Sequence, residues 1–229
     1  RTEAILTGMS ADLLSARDLL VWAADGSNTS EDVSAMAGAI KPLIESLFYS
    51  ANTQDAEGRY VFSGSASNTA TITYDPTAAI GARYTATGNN VQQLVAVGNG
   101  ITQPANVTLQ EMAGILNSLE QVYDTLSTPG VSVNDAAVRA QLTTTMNDID
   151  AAINFTSTII AKLGGSQNIL ETLSANHENV SLSNKQAALL IGQLDYGDAA
   201  VKMNGYSAAI QATQKAYAQV SKLSLFDVI

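Results

Sequence analysis

The run GRYVFSG, Gly58 to Gly64, divides the chain into two kinds of sequence. Tyr60, Val61 and Phe62 favour a pleated strand, and a glycine closes each end. Before it, apolar residues recur at helical spacing. After it, short β-prone runs alternate with turn residues. The reading of this run decides the fold class, because it marks where a helical core gives way to a β-rich insert.

Upstream, Leu6, Met9, Leu13, Ala16, Leu20 and Ala23 step by three and four, the apolar seam of a heptad helix. Arg1 has no capping residue before it, and the chain is expected to begin inside a helix whose earlier part is missing. Asp25 to Ser30 reads as a turn, with Ser30 placed to cap a second helix. Val33, Met36, Ile40, Leu43 and Leu47 continue the spacing. Pro42 falls inside this pattern, where it costs roughly 3 kcal/mol, so a bend or break is expected there.

Downstream, Thr71–Tyr74, Arg83–Thr85 and Val91–Val97 read as strands separated by turns at Asp75-Pro76, Gly81, Gly88-Asn89-Asn90 and Gly98-Asn99-Gly100. Thr108 and Glu111 suit a capping box, and Leu109, Met112, Leu116, Leu119, Tyr123 and Leu126 form a third seam that ends at Ser127–Gly130. A long helix follows from Asn134 or Asp135. One seam position is filled by Leu142, Ile149, Thr156, Leu163, Leu170, His177, Asn184 and Ile191. The other is filled by Val138, Thr145, Ala152, Ile159, Ser166, Leu173, Val180, Ala187 and Leu194. The phase passes unchanged through Gly164-Gly165. That pair is either a weak point in one helix, at about 1 kcal/mol per glycine, or the turn of a helical hairpin. The phase breaks at Asp195–Asp198, and a new heptad begins. Tyr196, Met203, Ile210 and Tyr217 take one position; Ala199, Tyr206, Thr213 and Val220 take the other. The sequence thus describes a mainly α protein, an elongated helical bundle with long heptad-patterned helices and a small β-rich insert. Residues 1–59 and 107–194 form a discontinuous helical core, 60–106 the insert, and 195–229 a separate terminal helix. A lone amphipathic helix is marginal in water, so the last seam needs cover from elsewhere in the protein or from neighbouring subunits.

Composition narrows the function. Hydrophobic residues make up 46% but aromatics only 6%, which suits long helices with small side chains. Acidic residues number 21 against 11 basic ones, a net charge of −10 with no basic cluster, which disfavours nucleic acid and anionic membrane surfaces. No apolar run approaches the ~20 residues of a membrane span, and no cleavable signal peptide is visible. With no cysteine, thiolate catalysis, disulfides and Cys-ligated zinc are ruled out. His177, the lone histidine, sits on a seam and reads as a partly buried helix residue rather than a base or ligand. Asp75, Asp195 and Asp198 lack the spacing of a calcium loop. No nucleophile or phosphate-binding motif occurs. No catalytic residue, metal site or cofactor is therefore expected.

Three stretches carry a family resemblance. They are Leu13–Gly64, ending in GRYVFSG; Ile153–Leu173, INFTSTIIAKLGGSQNILETL; and Leu194–Ile229, which ends in SLFDVI. Together they resemble the bacterial flagellin superfamily, and within it the hook-associated group that joins hook to filament. The resemblance leaves out the insert, about residues 65–106. It implies a secreted, extracellular structural protein of the bacterial flagellum rather than an enzyme. The implied partners are further copies of itself in a ring or helical array, another hook-associated protein, flagellin and a flagellar export chaperone, with neither nucleic acid nor membrane insertion. It makes Gly58, Tyr60, Phe62 and Gly64 the hinge between core and insert, the aromatics pinning a first strand onto the helices. It makes Tyr196, Ala199, Met203, Tyr206, Ile210, Thr213, Tyr217 and Val220, with Leu225 and Phe226, the assembly interface. That tail would be disordered in the monomer and fold on assembly. Family members also carry an N-terminal segment that pairs with the terminal helix and is not seen here. A flagellin proper that forms the filament, or a surface binding module acting through the insert, stands as the alternative.

Overall fold

The computed structural model describes the backbone of residues 1–98 and 100–226, and the side chains of these residues other than 193–195 and 223–226. Its elements are α1 (Thr2–Ala23), α2 (Ser30–Ala51), β1 (Ile72–Tyr74), β2 (Tyr84–Ala86), β3 (Leu94–Gly98), β4 (Ile101–Pro104), α3 (Met112–Leu126) and α4 (Ala136–Phe226). The chain divides into two compact units, Arg1–Leu170 and Glu171–Ile229.

In the first unit the heptad stripes become the core. Helix α1 buries Leu6, Met9, Leu13, Ala16, Leu20 and Ala23, the six residues of its expected seam. Helix α2 buries Val33, Ala37, Ile40, Ile44, Leu47 and Ala51, while Met36 and Leu43 are only partly buried against the core. Its cap is Thr29 rather than Ser30. The Thr29 Oγ1 accepts from the Asp32 N–H at 3.2 Å, and the Asp32 carboxylate accepts from the Thr29 N–H at 3.1 Å. This reciprocal pair satisfies two donors and wins over a single serine. The Ser30 hydroxyl instead accepts from the Gly130 N–H at 3.1 Å. Pro42 leaves α2 unbroken. Pro42 and Gly38, four residues earlier, are both exposed, so the carbonyl that loses its partner can be hydrated.

Helix α3 buries Leu116, Leu119, Val122 and Leu126, and α4 adds Val138, Leu142, Ile149 and Ala152 to the same cluster. Side-chain ties hold the helices in register. Arg17 of α1 donates Nε to Asp150 of α4 at 2.6 Å, Ser118 of α3 donates to Asp148 at 2.7 Å, and Ser46 of α2 donates to Asp12 at 2.6 Å. The expected capping box at Thr108 and Glu111 is not formed. Helix α3 starts instead through successive tight turns, such as Met112 N–H to Leu109 C=O at 3.2 Å, and Thr108 pairs in an isolated bridge with Ser63.

The run GRYVFSG is not a strand. It is a set of tight turns with isolated bridges Gln54–Tyr60 and Ser63–Thr108. Positive φ at Gly58 (77°) and Gly64 (72°) bends the chain back at both ends, and this outweighs the pleat preference of the aromatics between them. The strands follow later as two antiparallel ribbons, β1 on β2 (Ile72 opposite Ala86) and β3 on β4 (Leu94 opposite Pro104). Strand β4 has no counterpart in the sequence reading, and β3 starts at Leu94 rather than Val91.

Helix α4 runs through Gly164-Gly165, which removes the hairpin alternative. It also runs through Asp195–Asp198, where the phase break leaves the backbone helical. A change of heptad phase alters which face is apolar, not whether i to i−4 hydrogen bonds form.

Candidate assembly surface

In the second unit the Ala-, Gln- and Lys-rich sequence after Asp198 favours helix. Accordingly α4 continues to Phe226, where the sequence reading expects a tail disordered in the monomer. Tyr196, Ala199, Met203, Tyr206, Ile210, Thr213, Tyr217 and Val220 are all exposed. Their steps of three and four place them in one stripe. Its large members are 58% (Ile210) to 82% (Tyr196) exposed. Tyr206, Ile210 and Thr213 line one shallow concavity along the helix, as neighbours three, four and seven residues apart must. Asp198 and Lys202 pair one turn apart at 3.2 Å, an exposed contact that contributes little. The expected interface residues Leu225 and Phe226 have side chains outside the described residues. His177 is exposed, not partly buried, as are Val180, Asn184, Ala187 and Ile191 of the stripe before it.

The expected hinge lies in the first unit and is tightly held. Phe62 is fully buried, and its C=O accepts from the Leu109 N–H at 3.3 Å, which ties it to the approach of α3. Tyr60 donates its N–H to Ser67 C=O at 2.7 Å. The Asp55 carboxylate accepts the backbone N–H of Arg59 at 2.9 Å and that of Glu57 at 2.9 Å. These bonds, that to Arg59 first, hold its pKa below the usual aspartate value. Gly64 backs directly onto Asn89, and any Cβ there would collide with the Asn89 backbone.

Asparagine amides sew the insert to the helices, a role the sequence reading missed. Asn52, just past α2, donates Nδ2 to the Ile72 C=O at 2.8 Å and accepts the Ile72 N–H at 3.1 Å. Asn117 of α3 does the same for Tyr84, at 2.8 and 2.9 Å. Each amide pairs with one residue at an outer edge of the β1–β2 ribbon, as a neighbouring strand would. Asn106 bridges Gln93 N–H and Val91 C=O at 2.8 and 3.0 Å. Nothing in the local spelling separates these from the other asparagines of so Asn-rich a chain.

Among the described residues, no His, Asp and Glu group could hold a metal ion, and no helix is long and apolar enough to cross a membrane. No protein-family model matches the chain. Flagellar hook-associated protein 3 of Escherichia coli K12 is 24% identical over 243 aligned positions, which take in 99% of this chain and 75% of that protein. Among solved structures, a Vibrio parahaemolyticus protein assigned to the flagellar hook-associated proteins superposes with a TM-score of 0.70. It is 29% identical and is covered over 79% of each chain. The flagellar junction protein FlgL of Legionella pneumophila shares the fold at a TM-score of 0.64 and 17% identity, over 75% of this chain and 90% of its own. The chain is thus similar to flagellar hook-associated protein 3 along nearly its whole length and shares the helical fold of these solved structures.

Proposed function

We propose that this chain is a structural subunit of the bacterial flagellum that joins hook to filament by packing its helices against neighbouring subunits. The observation that carries this reading is the bare stripe from Tyr196 to Val220. It holds three tyrosines and a methionine, residue types enriched at protein interfaces, and none of its members is covered within the second unit. An apolar stripe of this length is stabilising only when another helix covers it. Likeness along nearly the whole chain to a hook-associated protein supports the same conclusion.

On this reading the stripe, continued by Leu225 and Phe226, meets further copies of the chain, another hook-associated protein and flagellin. An export chaperone shields it before the protein leaves the cell. Residues 1–59 and 107–194 act as the helical core, 60–106 as the insert, and 195–229 as the assembly segment. Gly58, Tyr60, Phe62 and Gly64 mark where the chain leaves the core for the insert. The work is mechanical rather than catalytic, and it is done outside the cell. Head-to-tail contacts of this kind close into a ring or continue as a helix according to the rotation between subunits.

Deleting the gene in its host tests the reading. Electron microscopy should show bare hooks, and immunoblots should show flagellin lost to the medium. Intact anchored filaments would overturn it.

A further inference from the structure

A cleft of about 470 Å³ opens in the first unit between α2, α3 and the β1–β2 ribbon. Its walls are the rings of Phe48, Tyr49, Tyr74, Tyr84 and Tyr123. Three ring contacts join four of them, Phe48, Tyr49, Tyr74 and Tyr84, into one continuous aromatic surface. Tyr74 and Tyr84 have centroids 4.9 Å apart, Phe48 meets Tyr84 edge-on at 5.6 Å, and Phe48 meets Tyr49 at 6.2 Å. Two carboxyl side chains, Glu45 and Glu120, complete the lining, with Lys41 and Ile44.

Glu120 is the informative member. It is only 8% exposed. Its Oε1 takes the Arg83 guanidinium at 3.2 Å and the Tyr74 hydroxyl at 3.5 Å. Its Oε2 is buried and has no hydrogen-bond partner among the described residues. A buried carboxyl oxygen without a donor is costly, and such an atom in a native fold asks for an explanation. Burial, then the nearby Glu120, Tyr74 and Glu45, push the Tyr84 hydroxyl up to about 12, so the lining as a whole resists negative charge.

We propose that this cleft receives the arginine side chain of a neighbouring protein chain. A guanidinium fits both halves of the lining. Its flat face stacks on tyrosine rings, and its N–H fork supplies donors for a carboxylate. An ammonium offers only a point charge, and a neutral donor bonds a carboxylate more weakly than a charged one does. Lys41 and Glu45 lie one helical turn apart on α2 without an ion pair between them among the described residues. Lys41 therefore stands as a competing cation beside the site. The net charge of −10 also favours a basic visitor. The proposal goes beyond the junction reading and stands or falls without it, since the site uses none of the stripe residues.

The test is a titration of the full chain, followed by ¹⁵N–¹H spectra, with N-acetyl-arginine methylamide, its citrulline isostere and spermidine. Arginine should give saturable shifts centred on Tyr49, Tyr74 and Tyr84. Citrulline and spermidine should each bind at least about tenfold more weakly. Glu120→Gln should remove most of the preference for arginine over citrulline. Tyr49→Ala, at an exposed ring that the fold does not need, should weaken arginine binding, and Lys41→Ala should strengthen it. Absence of saturable shifts overturns the proposal. So do equal binding of citrulline, spermidine binding as tight as arginine, or a Tyr49→Ala chain with unchanged affinity.

Discussion

Between Val138 and Thr156 the stripe of α4 lies in the core; between Tyr196 and Val220 the same spacing stands in solvent. The two stretches differ in residue type as well as setting. The buried one uses Val138, Leu142, Thr145, Ile149, Ala152 and Thr156, and the Thr156 hydroxyl is satisfied inside the helix by the Ala152 C=O at 2.7 Å. The exposed one places Tyr196, Tyr206 and Tyr217 beside Met203. A tyrosine tolerates water at its hydroxyl and offers a large apolar face when covered. Heptad spacing therefore says which face of a helix must be covered, and residue type says whether the cover is permanent. The first stripe has the composition of a core, and the second is rich in residue types that are enriched at protein interfaces.

The contrast breaks most visibly if one charge is placed in each stripe. Ile149→Asp buries an unpaired carboxylate in a fully covered site, and the first unit should lose about 4 kcal/mol or more in urea unfolding. An unchanged midpoint would mean that this stretch of α4 does not complete the core. Next in size is Gly64→Ala. It imposes a left-handed conformation on alanine and drives its Cβ into the Asn89 backbone, so a loss of at least about 2 kcal/mol is expected. A loss below a few tenths would show that the turn relaxes, and that 58–64 is less firmly held than its hydrogen bonds suggest.

Much of this was legible beforehand. The six buried residues of α1 could be read directly, because step-three-and-four spacing and burial are one fact when a partner helix lies alongside. The mainly α fold with a β insert and the exposed terminal stripe follow from the same periodicity. Three features were not legible. GRYVFSG looked like a strand because strand preference is local, whereas its turns depend on Asn89 and Leu109, far away in sequence. Strand β4 was hidden because Ile101–Pro104 contains too few apolar residues to alternate and exists only as the partner of β3. The asparagine clamps at Asn52 and Asn117 depend on where two helices happen to present an amide to a ribbon edge. Spacing cannot encode that.

Acid separates local ties from packing. Asp25, Asp32, Asp55 and Asp75 all lie in the first unit, and hydrogen bonds hold each below the ordinary aspartate value of 3.8. The main donors are the Ser27 N–H for Asp25, the Thr29 hydroxyl for Asp32, the Arg59 N–H for Asp55 and the Thr77 hydroxyl for Asp75. A lowered folded pKa means the unfolded chain binds more protons. Their contribution is thus complete above that value and is lost as pH falls below it. The urea midpoint of the first unit should drop in that window. Replacing Asp32 with Asn should make the drop shallower, and an identical pH profile would remove the Thr29–Asp32 box from the account.

The smallest effect on folding should come from the stripe proposed as the assembly surface. Tyr206→Asp and Val220→Asp change side chains that are 70% and 63% exposed, so each should leave the isolated chain within about 0.5 kcal/mol of the parent. The same substitutions should abolish anchored filaments in complemented cells, because each buries a carboxylate in the completed interface, where no partner awaits it. The pairing of the two results carries the argument. A variant that fails to fold says nothing about assembly. One that folds and still assembles would show that the Tyr196–Val220 stripe stays wet in the flagellum, and its cover would have to be sought on another face of α4.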